Sequence, residues 1–311
     1  MMQLVGSFAT LWLLLWLAGV LLLIAAYPHL RSVIVRLEPS FGSGLLLSLM
    51  SVPMVFSLGT TSLLFLPAFE SLLVQAHCHL SCESHLPSPA SSGVTMAGLF
   101  VLAAIIGTIF VRLARQVRIA RNITRQLDTL SAGESTKGFL PLPAEPAVVL
   151  TVGWWRNRIY LSDSLVSACT EREVDIILAH ERAHVQRKDN LRLTFAQLAT
   201  LLLPGRFCST LMEDLQLLTE SACDFFAAEQ FDGLDVAEAI IKVYRLIPER
   251  TSHVHGLSVA GEACLEQRVR ALLERETLYR PSRLAMLSLT CAPIVIAFAL
   301  VNPLHHLIEW L

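Results

Sequence analysis

Charge is what this chain has least of. Only 16% of its 311 residues are Asp, Glu, Lys or Arg, while 54% are hydrophobic. That balance excludes a charge-rich disordered chain, and it is too apolar for an ordinary soluble domain. The shortage is concentrated. Residues 8–27, 44–68, 94–111 and 284–304 carry no charged side chain, and runs of this length can cross a hydrocarbon core about 30 Å thick. Four uncharged spans argue against a transporter, whose pathway needs ionisable groups within the membrane. No basic region precedes the first span, and Arg31 and Arg36 follow it, so it reads as an uncleaved membrane helix rather than a signal peptide. Internal repeats are also missing, which excludes a solenoid.

A second absence sets the orientation. The segment 70–93, between the second and third spans, has no Lys or Arg, whereas Arg31 and Arg36 follow the first span and Arg280 and Arg283 precede the fourth. Arg112, Arg115, Arg118, Arg121 and Arg125 come directly after the third. Positive charge stays inside, so both termini and 70–93 are expected outside and residues 112–283 in the cytosol. The five arginines read as a flank lying on anionic headgroups, not as a nucleic-acid surface. Cys169, Cys208, Cys223 and Cys264 are then cytosolic and reduced. Cys78 and Cys82 fall in the external loop beside His77, His79 and His85. A disulfide closing that loop is the favoured reading, with metal binding by its Cys and His residues as the alternative.

In a chain so poor in polar chemistry, residues 180–184 read His-Glu-Arg-Ala-His. On a helix this HExxH spacing puts two imidazoles on one face, able to hold a zinc ion, with Glu181 beside them as general base. Roughly two chains in a hundred of this length would hold such a run by chance, so its context has to carry the argument. Thr170 and Glu173 have capping-box spacing, and Val174, Ile176, Ile177 and Leu178 form an apolar flank. A catalytic zinc needs a third protein ligand. A second helix, read as capped by Ser209, carries Glu220 and Asp224 four residues apart. Glu220 is the candidate ligand and Asp224 a hydrogen-bonding partner to a ligand histidine, with Glu213 as the rival. Asp189 is expected to anchor the helix end through Arg187 or an adjacent loop. Cys223 reads as a packed thiol. Tyr244, His253 and His255 are candidates for stabilising an oxyanion, the two histidines reading better as surface loop.

With Arg187 and Asp189 the first motif is HExxHxxRxD, and residues 220–224 read ExxCD. Together they resemble the BlaR/MecR-type family of membrane zinc metallopeptidases. Val152, Gly153 and residues 158–161 are similar to the family's strand leading into the catalytic helix, and residues 265–273 to its closing helix. The resemblance implies one catalytic Zn2+ held by His180, His184 and Glu220, Glu181 as base, a bacterial cytoplasmic membrane, and a cytosolic repressor as substrate. Those receptors carry a large penicillin-binding sensor after the last span. Only seven residues follow residue 304 here, so the expectation is the catalytic half without that sensor.

The expected fold is a membrane α-helical protein with four transmembrane helices and a mostly α, zincin-like cytosolic domain carrying a small β-hairpin or sheet. Residues 1–111 form the membrane region, 112–283 the protease domain, and 284–311 the fourth span and an external tail. Two short strands, 147–152 and 158–161, flank a turn at 153–157 and follow a Pro-rich turn at 141–146; such a hairpin could hold a substrate strand by edge pairing. Three functions follow in order: a signalling endopeptidase cleaving a transcriptional regulator, an HtpX-like quality-control protease, and a receptor or scaffold with structural zinc. The expected partners are a protein substrate and the bilayer, with no nucleic acid and self-association left open.

Overall fold

The structure, a computed structural model, describes residues 2–65, 92–131, 138–155, 157–247 and 262–274, with scattered positions between 278 and 299. Residues 66–91, with Cys78 and Cys82, lie outside the described residues, as do His253, His255 and nearly all of the expected fourth span. The described chain is mostly helical with one small sheet. Three of its helices are long and apolar enough to cross a membrane: α1 (Met2–Ile34), α2 (Pro39–Phe65) and α3 (Ser92–Leu130). At 1.5 Å per residue, α3 runs about 58 Å, so the third span and the basic segment after it are one helix.

The chain divides into two compact units. The first comprises Met1–Arg31, Ser48–Arg112 and Pro281–Leu311. Within it Leu11 and Leu64 pack with Leu15, Leu63 and Phe65, and the rings of Phe8 and Phe65 meet edge to face at 5.5 Å. Gly19 lets α1 approach α2 closely: a Cβ there would lie 3.2 Å from Pro53 Cα. Small residues at such crossings are how apolar helices gain packing where no hydrophobic effect separates them from lipid.

The second unit comprises Ser32–Leu47 and Leu113–Arg280, so it takes in the start of α2, which the sequence grouped with the membrane region. Its sheet has the order β1-β3-β2, from β1 (Leu140–Leu142), β2 (Val149–Val152) and β3 (Arg158–Ser162). The expected hairpin is present, with Val149 opposite Leu161 and Val152 opposite Arg158. The Pro-rich turn is corrected in part: Leu140–Leu142 is a strand, parallel to β3. Pro141 is tolerated because β1 is an edge, where a missing N–H breaks no central ladder.

Among the described residues six helices follow: α4 (Asp163–Ala168), α5 (Glu171–Arg187), α6 (Asp189–Ala199), α7 (Gly205–Ala227), α8 (Gly233–Leu246) and α9 (Glu262–Leu273). The capping box at Thr170 is present in full, its hydroxyl accepting from the Glu173 N–H and the Glu173 carboxylate accepting from the Thr170 N–H. The N-cap expected at Ser209 is not. α7 begins four residues earlier, behind Pro204, and the Ser209 hydroxyl donates to Arg206 O inside the helix. Pro204 is not itself helical, but it closes off the chain before Gly205, which a sequence scan for Ser and Thr caps overlooks. Apolar residues of α5 divide between two cores. Val174, Ile177 and Leu178 pack on the sheet with Ile159 and Leu161, while Ile176 and Ala179 pack on α7 and α8 with Phe225 and Val236. Buried on both flanks, α5 is the central element of the unit.

Candidate metal centre

Helical periodicity alone brings His180 and His184 onto one face of α5. Their Nε2 atoms lie 3.2 Å apart. Glu220 approaches from α7, with Oε2 3.5 Å from His180 Nε2 and Oε1 3.6 Å from His184 Nε2. Ligand atoms about 2.1 Å from a tetrahedral ion stand about 3.4 Å from one another, so the spacing fits three zinc ligands and leaves a fourth position open.

The outer ring nitrogens are held by carboxylates. His184 Nδ1 lies 2.9 Å from Asp189 Oδ2. His180 Nδ1 lies 2.9 Å from Asp224 Oδ1, a short ion-pair contact with the ring N–H poorly aligned. Each carboxylate turns its ring so that Nε2 faces the other histidine, the usual way an outer shell fixes a metal-binding tautomer. Behind them stands Arg268 of α9. Its Nε and Nη2 donate to Asp224 at 2.8 and 2.7 Å, and Nη1 lies 3.3 Å from Glu220 Oε2.

The electrostatics follow from this packing. Burial alone would lower His180, but Asp224 and Glu220 outweigh it and push it up to about 10. Burial opposes the same shift at His184, which Asp189 and Glu220 raise. Burial also works against Glu220, yet Arg268 and the two imidazoles hold it well below the usual carboxylate range. The site therefore favours positive charge at the Nε2 pair, and a divalent cation satisfies that field as a proton would.

Glu181, next to the first histidine, is buried and accepts a 2.5 Å hydrogen bond from the Thr151 hydroxyl of β2. Asn190, at the start of α6, ties β2 down by donating to Thr151 O and Gly153 O at 2.9 and 3.0 Å. Cys223 is buried with its sulfur 3.3 Å from His184 Nδ1. Burial pushes its thiol well up, so it packs as a neutral group. An apolar cleft opens onto His180, Glu181, His184 and Glu220, lined by Val149, Ile240, Val243 and Tyr244 among others.

The structure thus brings together His180, His184 and Glu220, with Asp224, Asp189 and Arg187 around them; Arg187 Nε lies 3.3 Å from Asp189. The rival Glu213 is exposed and absent from this cluster, because it stands two turns, about 10.5 Å of helix rise, before Glu220 on α7. Tyr244 lines the cleft. Sequence reasoning missed Thr151, Asn190, Arg192 and Arg268. The only signal for Arg268 was its place in the segment 265–273, resembling a closing helix; nothing marked the others.

Two imidazoles and a carboxylate converging on one point, with a further carboxylate beside them, form the donor set of a metallopeptidase. The sequence profile of the BlaR1 peptidase M56 family matches residues 81–272, and the chain belongs to that family. It is a family of membrane metallopeptidases. No curated protein matches the chain.

Proposed function

We propose that the chain is an integral-membrane, zinc-dependent endopeptidase that cleaves a cytosolic or membrane-proximal protein, a transcriptional regulator in a signalling pathway being the favoured substrate. The observation that carries this reading is the inward convergence of His180, His184 and Glu220, each histidine held from behind by its own carboxylate. The family match and the three apolar helices support a membrane setting. Beyond these, we propose a fourth span at 284–304, a zincin-like fold for residues 112–283, and a cytosolic site.

His180, His184 and Glu220 would hold the ion, and a bound zinc polarises the scissile carbonyl and makes a water acidic enough to attack near neutral pH. Glu181 takes a proton from that water as its oxygen adds to the carbonyl carbon. The same carboxyl then returns the proton to the amide nitrogen as the C–N bond breaks, leaving a carboxylic acid and an amine, and the acid's remaining proton passes to the amine to give carboxylate and ammonium. Thr151 holds Glu181 toward β2, and the cleft beside it accepts an apolar side chain next to the scissile bond. β2 is an edge strand, and a substrate segment paired along it would pass the Glu181 carboxylate extended.

Glu181→Gln tests the reading. Cleavage of a cytosolic target, found by comparing proteomes of cells with wild-type and variant protein, should disappear while purified variant still binds zinc. A proteome and signalling phenotype unchanged by Glu181→Gln would favour a structural metal in a non-enzymatic receptor.

A further inference from the structure

Asp189 does not hold His184 alone. It is almost fully buried, and two guanidinium groups converge on it: Arg187 Nε at 3.3 Å and Arg192 Nη1 at 3.2 Å. Two like charges on one carboxylate repel each other unless something else receives their remaining N–H groups. That acceptor is Ser43, in the second turn of α2. Its hydroxyl is fully buried, donates to Ser40 O at 3.0 Å, and accepts from Arg187 Nη2 at 2.9 Å and Arg192 Nη2 at 3.2 Å. One donor and two lone pairs are thereby all used. Ser40, one turn earlier, accepts from Arg187 Nη1 at 3.1 Å. An independent contact fixes the same stretch of helix. A Cβ on Gly42 would come within 3.1 Å of Leu218 Cδ2, on the helix that carries Glu220, so α2 seats there with no room to spare.

We infer that Ser43, with Ser40, is a positioning element of the metal centre. The start of α2, a helix long and apolar enough to cross a membrane, sets the orientation of His184 through Arg187, Arg192 and Asp189. This rests on the ligand set proposed above. The chain of contacts has no slack: the Ser43 hydroxyl is fully committed, so displacing it leaves half-buried guanidinium donors unmet and frees Asp189 to turn from the His184 ring. An element continuous with a candidate membrane span would then tune metal affinity without touching the ion.

The test is metal binding by the full-length protein in detergent, stripped with a chelator and titrated with Zn2+ against a chromophoric competitor, then with Co2+ to read its d–d absorption. Ser43→Ala should weaken zinc binding about tenfold, the low end for loss of an outer-shell partner, and should change the Co2+ band. Ser57→Ala, also in α2 and, among the described residues, bonded to its own helix at Met54 O, should match wild type. His180→Ala in the same titration should lose the metal. If it does not, the ligand set itself is wrong. Zinc affinity and Co2+ spectrum unchanged in Ser43→Ala, with His180→Ala metal-free, would overturn the inference alone, as would an equal loss in Ser57→Ala. Should Ser43→Ala lose its helical circular dichroism, Arg192→Gln takes its place, with the same loss expected and unchanged affinity counting against the inference.

Discussion

Arg268 stands at the centre of this site's charge balance. Asp224 is fully buried and Glu220 about 25% exposed, and one guanidinium faces both. Truncation to Met would leave the two carboxylates with only the His180 and His184 imidazoles facing them, and removing one partner of such a buried pair typically costs about 3–5 kcal/mol. We expect Arg268→Met to be strongly destabilised in urea unfolding of the metal-free protein, with most of the loss recovered by zinc, because the cation replaces the missing positive charge. Asp189→Asn keeps the size of the side chain but removes the acceptor charge behind His184. Its zinc affinity should fall roughly ten- to hundredfold by competitive titration, and the urea midpoint should fall as well, because Arg187 and Arg192 lose the carboxylate they share.

Among the elements, α5 shows most directly how a cap places chemistry. Thr170 and Glu173 start the helix, and Lys242 of α8 reaches the same Glu173 carboxylate at 2.7 Å. The Lys242 bond and the Thr170 N–H hold Glu173 below the usual carboxylate range, against a small opposing effect of burial. A carboxyl with a depressed folded-state pKa adds stability that is fully present above its unfolded value of about 4.3 and is lost as pH falls through the folded value. Glu173→Gln keeps the capping box but loses the Lys242 ion pair, so it should cost about 0.2–1 kcal/mol at neutral pH, the size of a part-exposed pair, and flatten the loss of stability below about pH 4.5. Acid titration of the melting temperature would show it, and an acid arm as steep as wild type would disprove the assignment. At the other end of α5, Lys188 takes the left-handed conformation at φ 54°. That single residue reverses the chain, so that Asp189 returns beneath His184 within five residues instead of continuing away from it.

For the whole molecule, a ligand that binds only the folded state stabilises it by mass action. Zinc at a hundredfold excess over its dissociation constant should add about 2.7 kcal/mol and raise the melting temperature, an increment absent in His184→Ala. The proposed orientation has its own check. In intact cells, after mild reduction, a membrane-impermeant maleimide should label Cys78 and Cys82 while Cys208 stays unlabelled until the membrane is opened. Labelling of Cys208 first would invert the topology.

Local chemistry was legible along the chain wherever one helix holds both ends of an interaction. The pairing of His180 with His184, the capping box at Thr170 and the shared face of Glu220 and Asp224 each rest on a period of 3.6 residues, and uncharged length alone marked the three candidate membrane helices. Where contacts cross between distant segments, no spacing announces them. Arg268 lies 44 residues from Asp224, Thr151 is 30 from Glu181, and Ser43 is 144 from Arg187. Ser43 and Thr151 are ordinary in sequence, and Pro141 pointed away from a strand that an edge position allows. Periodicity is a property of the chain, and it sufficed to put His180 and His184 on one face. Which carboxylate completes the set, and which arginines and serines hold it rigid, depends on how α2, α7 and α9 close around α5, and only the packed fold decides that.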